Sequence, residues 1–198
     1  MKQLLIASLL GIVVLVSSAS CFDGKRKGFV LGGGVGIAPV GRSTLEISEI
    51  FLLEDIGSPQ IEVDKAGAAA NLFAGYAWDE RNVIILETNL IRYTSDSFYK
   101  RRVIQGFIGP TWYHYLQPQG SSLFTSLGIG LYFFDIEGFE NVDPGSGLMF
   151  GVGLELVWRV QIASFFSYGW ASEKAIGSGK DVGIEHKHLS VLVTAVAF

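Results

Sequence analysis

The sequence predicts an all-β fold: an eight-stranded antiparallel up-and-down transmembrane β-barrel preceded by a cleavable signal peptide. Three observations predict it. Short runs rich in β-branched residues, aromatics and glycine recur along the chain. The connections between them alternate long and short. Within the runs, large apolar residues alternate with glycine and polar residues, the period of a strand that presents two different faces.

The balance of residue types agrees. Of 198 residues, 49% are hydrophobic and 17% charged, below the roughly 25% charged residues of soluble domains. Glycine occurs 25 times and aromatics make up 13%. The net charge of −4, with no basic block, excludes a nucleic-acid footprint.

Residues 1–20 read as an export signal: Lys2, then the apolar stretch Leu4–Val16, then the small residues Ser17–Ser20. That stretch is shorter than the ~20 residues a helical span needs. Cys21 follows the small residues and is a candidate for lipidation, although Ser18 stands where a lipoprotein signal has a branched apolar residue. A single cysteine leaves no intramolecular disulfide. Residues 21–27 then form a short periplasmic segment, and 28–198 the barrel.

The strands are expected at 28–40, 66–78, 82–93, 102–115, 122–134, 146–158, 160–171 and 185–198. Each is near the ~9–11 residues a tilted strand spends in a bilayer. In the first, Phe29, Leu31, Val35 and Ile37 alternate with Val30, Gly32, Gly34 and Gly36. In the fifth, Leu123, Leu127, Ile129, Leu131 and Phe133 alternate with Phe124, Ser126, Gly128, Gly130 and Tyr132. In the sixth, Phe150, Val152 and Leu154 alternate with Gly151, Gly153 and Glu155. Bulky residues are expected toward lipid, with small and polar ones filling a narrow interior. In the last strand, Phe198, Val196, Thr194 and Leu192 share the face assigned to lipid. A soluble carrier of the lipocalin type would need a polar exterior, which no strand offers.

Long connections fall at 41–65, 94–101, 135–145 and 172–184; short ones at 79–81, 116–121 and near 159. Membrane barrels have long external loops and short periplasmic turns, with both termini in the periplasm. The turn near 159 carries no Gly, Pro or Asn. Aromatics gather at strand ends, where rings favour the headgroup boundary. Trp78, Trp112, Tyr113, Tyr115, Trp158 and Phe198 are expected in the periplasmic girdle. Tyr93, Phe133, Phe134, Tyr168 and Trp170 are expected in the external one.

The signal, the opening GFVLGGGVGIAPV (Gly28–Val40), the strand GVGLEL (Gly151–Leu156) and the terminal Phe198 after alternating apolar residues resemble the small eight-stranded outer-membrane barrels of the OmpA, OmpX and opacity-protein class. The resemblance implies a monomer in the outer membrane of a Gram-negative bacterium, in contact with its lipid and lipopolysaccharide. It also implies that the barrel-assembly machinery reads the C-terminal strand.

For chemistry, parity places Glu87, Asn89, Glu155, Gln161 and Lys187 inward. They would form a salt-bridged plug, or alternatively a polar gate or narrow pore. The pair His188-x-Ser190 is similar to the His-x-Ser of outer-membrane lipid A deacylases. Its parity with Phe198 puts it on the lipid face, ~25–30 Å up the strand from that residue. Nothing acidic follows Ser190 to orient the imidazole, and Glu185 has the opposite parity. His114 is isolated, and His186 and His188 lack a third ligand, so neither metal nor cofactor is expected. The role expected is structural or interactive, through the four long loops. The acidic third loop, with Asp135, Glu137, Glu140 and Asp143, offers a surface for cations or a basic partner.

Overall fold

The computed structural model describes residues 26–46, 60–62, 66–95, 101–136, 143–156, 159–174 and 181–198. The signal segment, Cys21, Trp158, Glu137, Glu140 and the central parts of the long loops lie outside the described residues.

Among the described residues nine strands follow in chain order: β1 (Gly28–Glu46), β2 (Gln60–Glu62), β3 (Gly67–Ala77), β4 (Asn82–Ser95), β5 (Arg101–Tyr115), β6 (Ser122–Ile136), β7 (Asp143–Glu155), β8 (Val160–Lys174) and β9 (Asp181–Ala197). Every expected run is a strand. Eight of the nine join antiparallel to their neighbours, and β1 pairs with β9 to close the barrel. Closure satisfies backbone groups that lipid cannot solvate. The additional strand, β2, pairs with Arg42–Thr44 of β1, above the point where β3 begins. β1 with 19 residues and β9 with 17 exceed the ~9–11 that a tilted strand needs to cross. The walls therefore continue past the hydrocarbon on the long-loop side.

Local chemistry sets the irregularities. Between Ile37 and Val40, β1 carries one more residue than β9. Pro39 sits in this bulge, where its missing N–H costs no ladder bond. The bulge switches parity, so Ala38 is buried before it and Gly41 after it. In β5, Pro110 again lacks a donor, and the register with β6 skips from Ile108 to Thr111. There the backbones close up: a Cβ on Gly109 would meet the Ile129 carbonyl oxygen at 2.2 Å. The turn without a turn residue is made by Arg159, which adopts φ +63°, while Leu156 N–H donates to the Val160 carbonyl.

The outer surface is apolar: Leu72, Leu86, Leu123, Ile129 and Leu131 are all more than half exposed. The lumen is not filled by small residues alone. Phe73, Phe107, Tyr113, Phe124, Tyr132 and Phe165 fill it, and the inward glycines make room for their rings. A Cβ on Gly169 would lie 2.2 Å from Cγ of Tyr132, and one on Gly153 2.3 Å from Cζ of Phe124.

The last strand corrects the sequence reading. His186, His188, Ser190, Leu192, Thr194, Val196 and Phe198 are buried in the lumen, and Val193 and Lys187 face outward. Gly32, Gly34 and Gly36 of β1 pair with Val196, Thr194 and Leu192. Paired residues share a face, so the glycine side of β1 gives these side chains interior room. Two imidazoles on the opposite face would have met hydrocarbon without partners.

Candidate functional site: the barrel lumen

The short-turn mouth is closed by a residue that precedes the barrel wall. Arg26 Nε donates to Glu155 Oε2 at 2.9 Å. Its Nη1 donates to the carbonyls of Glu80, at 3.0 Å, and Gln117, at 2.5 Å, and Nη2 to that of Gly120, at 2.8 Å. The guanidinium carbon stacks 4.3 Å from the centre of the Tyr115 ring. A planar fork of donors suits such divergent acceptors where an ammonium would not. Gln161, paired in register with Glu155, donates to the Tyr115 hydroxyl at 2.8 Å, and Phe198 meets the Tyr115 ring edge-on.

Higher in the lumen lies the fully buried carboxyl of Glu87. Tyr113 O–H donates to Oε2 at 2.8 Å and Asn71 Nδ2 to Oε1 at 3.1 Å. Register places Tyr113 opposite Val83 rather than Glu87, so the phenol reaches along the barrel to the carboxyl.

Toward the long-loop end, Tyr132 bridges Gln105 and His188. Its hydroxyl donates to Gln105 Oε1 at 2.9 Å and lies 2.8 Å from His188 Nδ1. With that proton committed to Gln105, Nδ1–H donates to the hydroxyl oxygen and Nε2 keeps its lone pair. His186 stacks on Phe134 at 4.0 Å between ring centres. Ser190 faces Asn89 Nδ2 at 3.5 Å.

Glu87, Asn89, Glu155 and Gln161 thus all face the lumen, but in separate layers: Glu155 with Gln161 at the mouth, Glu87 in the middle, Asn89 above. Lys187 does not join them. It points outward, pairs with Glu185 at 3.0 Å and stacks 5.3 Å above Tyr168. The pair His188 and Ser190 is inside the barrel, so it does not reach acyl chains from the wall, contrary to the expectation. Nor is it assembled as base and nucleophile, since the imidazole holds Tyr132 and the serine faces Asn89.

The girdles also need revision. Trp78, Trp112 and Trp170 face outward, each close to half exposed, with Phe133 and Tyr168 half-buried on the same surface. Tyr93, Tyr113, Tyr115, Phe134 and Phe198 are buried in the lumen. Their position at strand ends was right, but adjacent residues such as Trp112 and Tyr113 take opposite faces. Sequence reasoning missed Arg26, Asn71 and Gln105, and it set Tyr132 on the inward face without giving it a role. Their inward parity was readable on β3, β5 and β6; Arg26 lies before any strand and gave no such signal.

No protein-family model matches the chain, and no curated protein does. Among solved structures, Neisserial surface protein A (NspA) superposes with a TM-score of 0.52 at 13% identity, covering 86% of this chain and 97% of that one. The outer membrane protein OprG from Pseudomonas aeruginosa gives 0.54 at 9% identity, covering 87% and 96%. The fold is that of the small outer-membrane barrels. At these identities the likeness is one of architecture, and it spans nearly the whole of both relatives. In this barrel the outward tryptophans at both ends bracket the greasy band, the arrangement that a bilayer selects.

Proposed function

We propose that the chain is a bacterial outer-membrane protein with a structural and interactive role, performed by its external loops around a closed barrel. The observation that carries this reading is the division of the wall. Its outer surface is dominated by residues that suit acyl chains, while Asn71, Glu87, Gln105 and Glu155 are turned inward and bonded to other buried side chains. Residues 1–20 direct export and are removed near positions 19–22. The barrel works as a monomer, set in outer-membrane lipid and lipopolysaccharide, and the barrel-assembly machinery receives it through its C-terminal strand. Asp135 and Asp143, both exposed, sit at the base of the acidic third loop, which meets cations or a basic partner surface.

Membrane fractionation, with a comparison of heated and unheated samples on a detergent gel, tests the reading. A folded barrel migrates differently until boiled; equal mobility would sink the proposal. Neutralising Asp135, Glu137, Glu140 and Asp143 together weakens cation or partner binding if the third loop is the contact. Purified protein incubated with lipopolysaccharide releases no acyl chain detectable by mass spectrometry, because His188 and Ser190 are enclosed.

A further inference from the structure

On the outward face of β8 and β9, polarity rises in steps toward the long loops. Register aligns Phe166 with Leu189, then Tyr168 with Lys187, then Trp170 with Glu185. The first pair is wholly apolar. The second brings a phenol and an ammonium, the third an indole and a carboxylate. The three rows span only ~13 Å along the strands.

The upper two rows form one cluster. Lys187 Nζ lies 3.0 Å from Glu185 Oε1 and 5.3 Å above the Tyr168 ring. The Tyr168 and Trp170 rings are 5.5 Å apart between centres and tilted by 59°. Trp170 is 48% exposed, and the side chains of Lys187 and Glu185 are 49% and 29% exposed. An exposed ion pair adds little to stability, so the fold gains little by placing one here. At the same end of the wall, Arg92 and Asp135 are separated by Ile104 and have no tryptophan in their row. Trp78 and Trp112, the other outward tryptophans among the described residues, stand at the short-turn end.

A flat ring beside one donor and one acceptor matches a sugar. Its C–H face lies on an indole, and its polar substituents reach the charged pair. We infer that Trp170, Tyr168, Lys187 and Glu185 form a docking site for the sugar head of an outer-leaflet glycolipid of the lipopolysaccharide kind, whose acyl chains run down over Phe166 and Leu189. Lys187 donates to a phosphate or hydroxyl oxygen, and Glu185 accepts from a hydroxyl or amide N–H. Tyr168 holds the ammonium in place from below. The occupant is lipid-borne because the apolar wall continues directly beneath the polar rows. A phosphatidylethanolamine head fits less well, since it has no ring to lay on Trp170. The inference rests on the reading that the barrel sits in an outer membrane with its long loops outside, and it adds where the wall holds that leaflet.

The test is native mass spectrometry of the barrel refolded from urea into detergent, with purified rough-type lipopolysaccharide as the probe. The parent takes up one molecule saturably. Trp170→Leu and Lys187→Ala each raise the dissociation constant about tenfold, the loss expected for one contact to a ring or a charged group. Trp170→Phe stays close to the parent, because it keeps a flat ring that the equally apolar leucine lacks. All three changes are at exposed side chains, so the variants remain heat-modifiable on a gel.

Trp170→Leu and Lys187→Ala barrels that bind as the parent does would overturn the inference. So would phosphatidylethanolamine bound as tightly as lipopolysaccharide. Free glucosamine 6-phosphate that competes at equal concentration would show a site for a soluble sugar and overturn it too. A heat-modifiable barrel that takes up no lipopolysaccharide removes this inference alone; a barrel that is not heat-modifiable removes the reading beneath it as well.

Discussion

Arg26 and Glu155 are 129 residues apart in the chain and 2.9 Å apart in the barrel. This contact joins the segment before the first wall strand to the end of β7, across a mouth otherwise framed by short turns. Both side chains are almost entirely buried. Removing one member of such a pair leaves the other's charge stranded, which typically costs ~3–5 kcal/mol. Glu155→Ala is therefore expected to lower stability by about that order. The double variant Arg26→Met with Glu155→Leu should lose less than the two single losses summed. Urea unfolding of the detergent-folded barrel measures both, and additive losses would show that the pair is not coupled.

Tyr113→Phe tests the middle layer. It removes the phenol donor to Glu87 Oε2 from a fully buried carboxyl. A loss of ~1–3 kcal/mol is expected. Combining it with Glu87→Leu, which removes the carboxyl altogether, should recover part of that loss. A Tyr113→Phe barrel as stable as its parent would show that the hydroxyl contributes nothing.

Gly169→Ala tests the upper layer. The added methyl would overlap the Tyr132 ring and force it away from Gln105 and His188. Overpacking of this sort costs ~1–3 kcal/mol. The NMR resonances of the His188 imidazole should shift with it. Unchanged imidazole resonances would mean that the Tyr132 ring had not moved.

Asp79 organises the β3–β4 turn in water and gives a pH-dependent prediction. The Asn82 side chain, then the backbone N–H of Arg81, hold its carboxyl below the usual value of 3.8. A carboxyl depressed in the fold contributes stability that is fully present above its unfolded value. That contribution is lost as pH falls through the lower folded value. The stability difference between the parent and Asp79→Ala should thus be constant from neutral pH down to about pH 5 and shrink below pH 4. A difference that does not change between pH 7 and pH 3 would rule out the carboxylate as its source.

Periodicity made the walls legible because the lipid side and the lumen side differ in size and polarity on most strands. Leu123, Leu127 and Ile129 against Ser126, Gly128 and Gly130 leave no choice of face. On β9 the same rule had no purchase. Val191, Val193, Ala195 and Ala197 are as apolar as Leu192, Thr194, Val196 and Phe198, so a terminal phenylalanine suggested lipid and was misleading. The face was decided by the neighbours, through the glycines of β1 and the room they leave. Glu87, Asn89, Glu155 and Gln161 could be read as inward one strand at a time. Their partners could not, since Asn71, Tyr113 and Arg26 reach them from other parts of the chain.

Four acceptors hold the Arg26 side chain, and they come from three places: Glu80 in the β3–β4 turn, Gln117 and Gly120 in the β5–β6 turn, and Glu155 at the end of β7. None of these is in position until its hairpin has formed. Arg26 can therefore dock only once these elements are in place. A sheet that lacks these hairpins leaves its guanidinium in water, so the burial of Arg26 marks that β3 to β7 have come together.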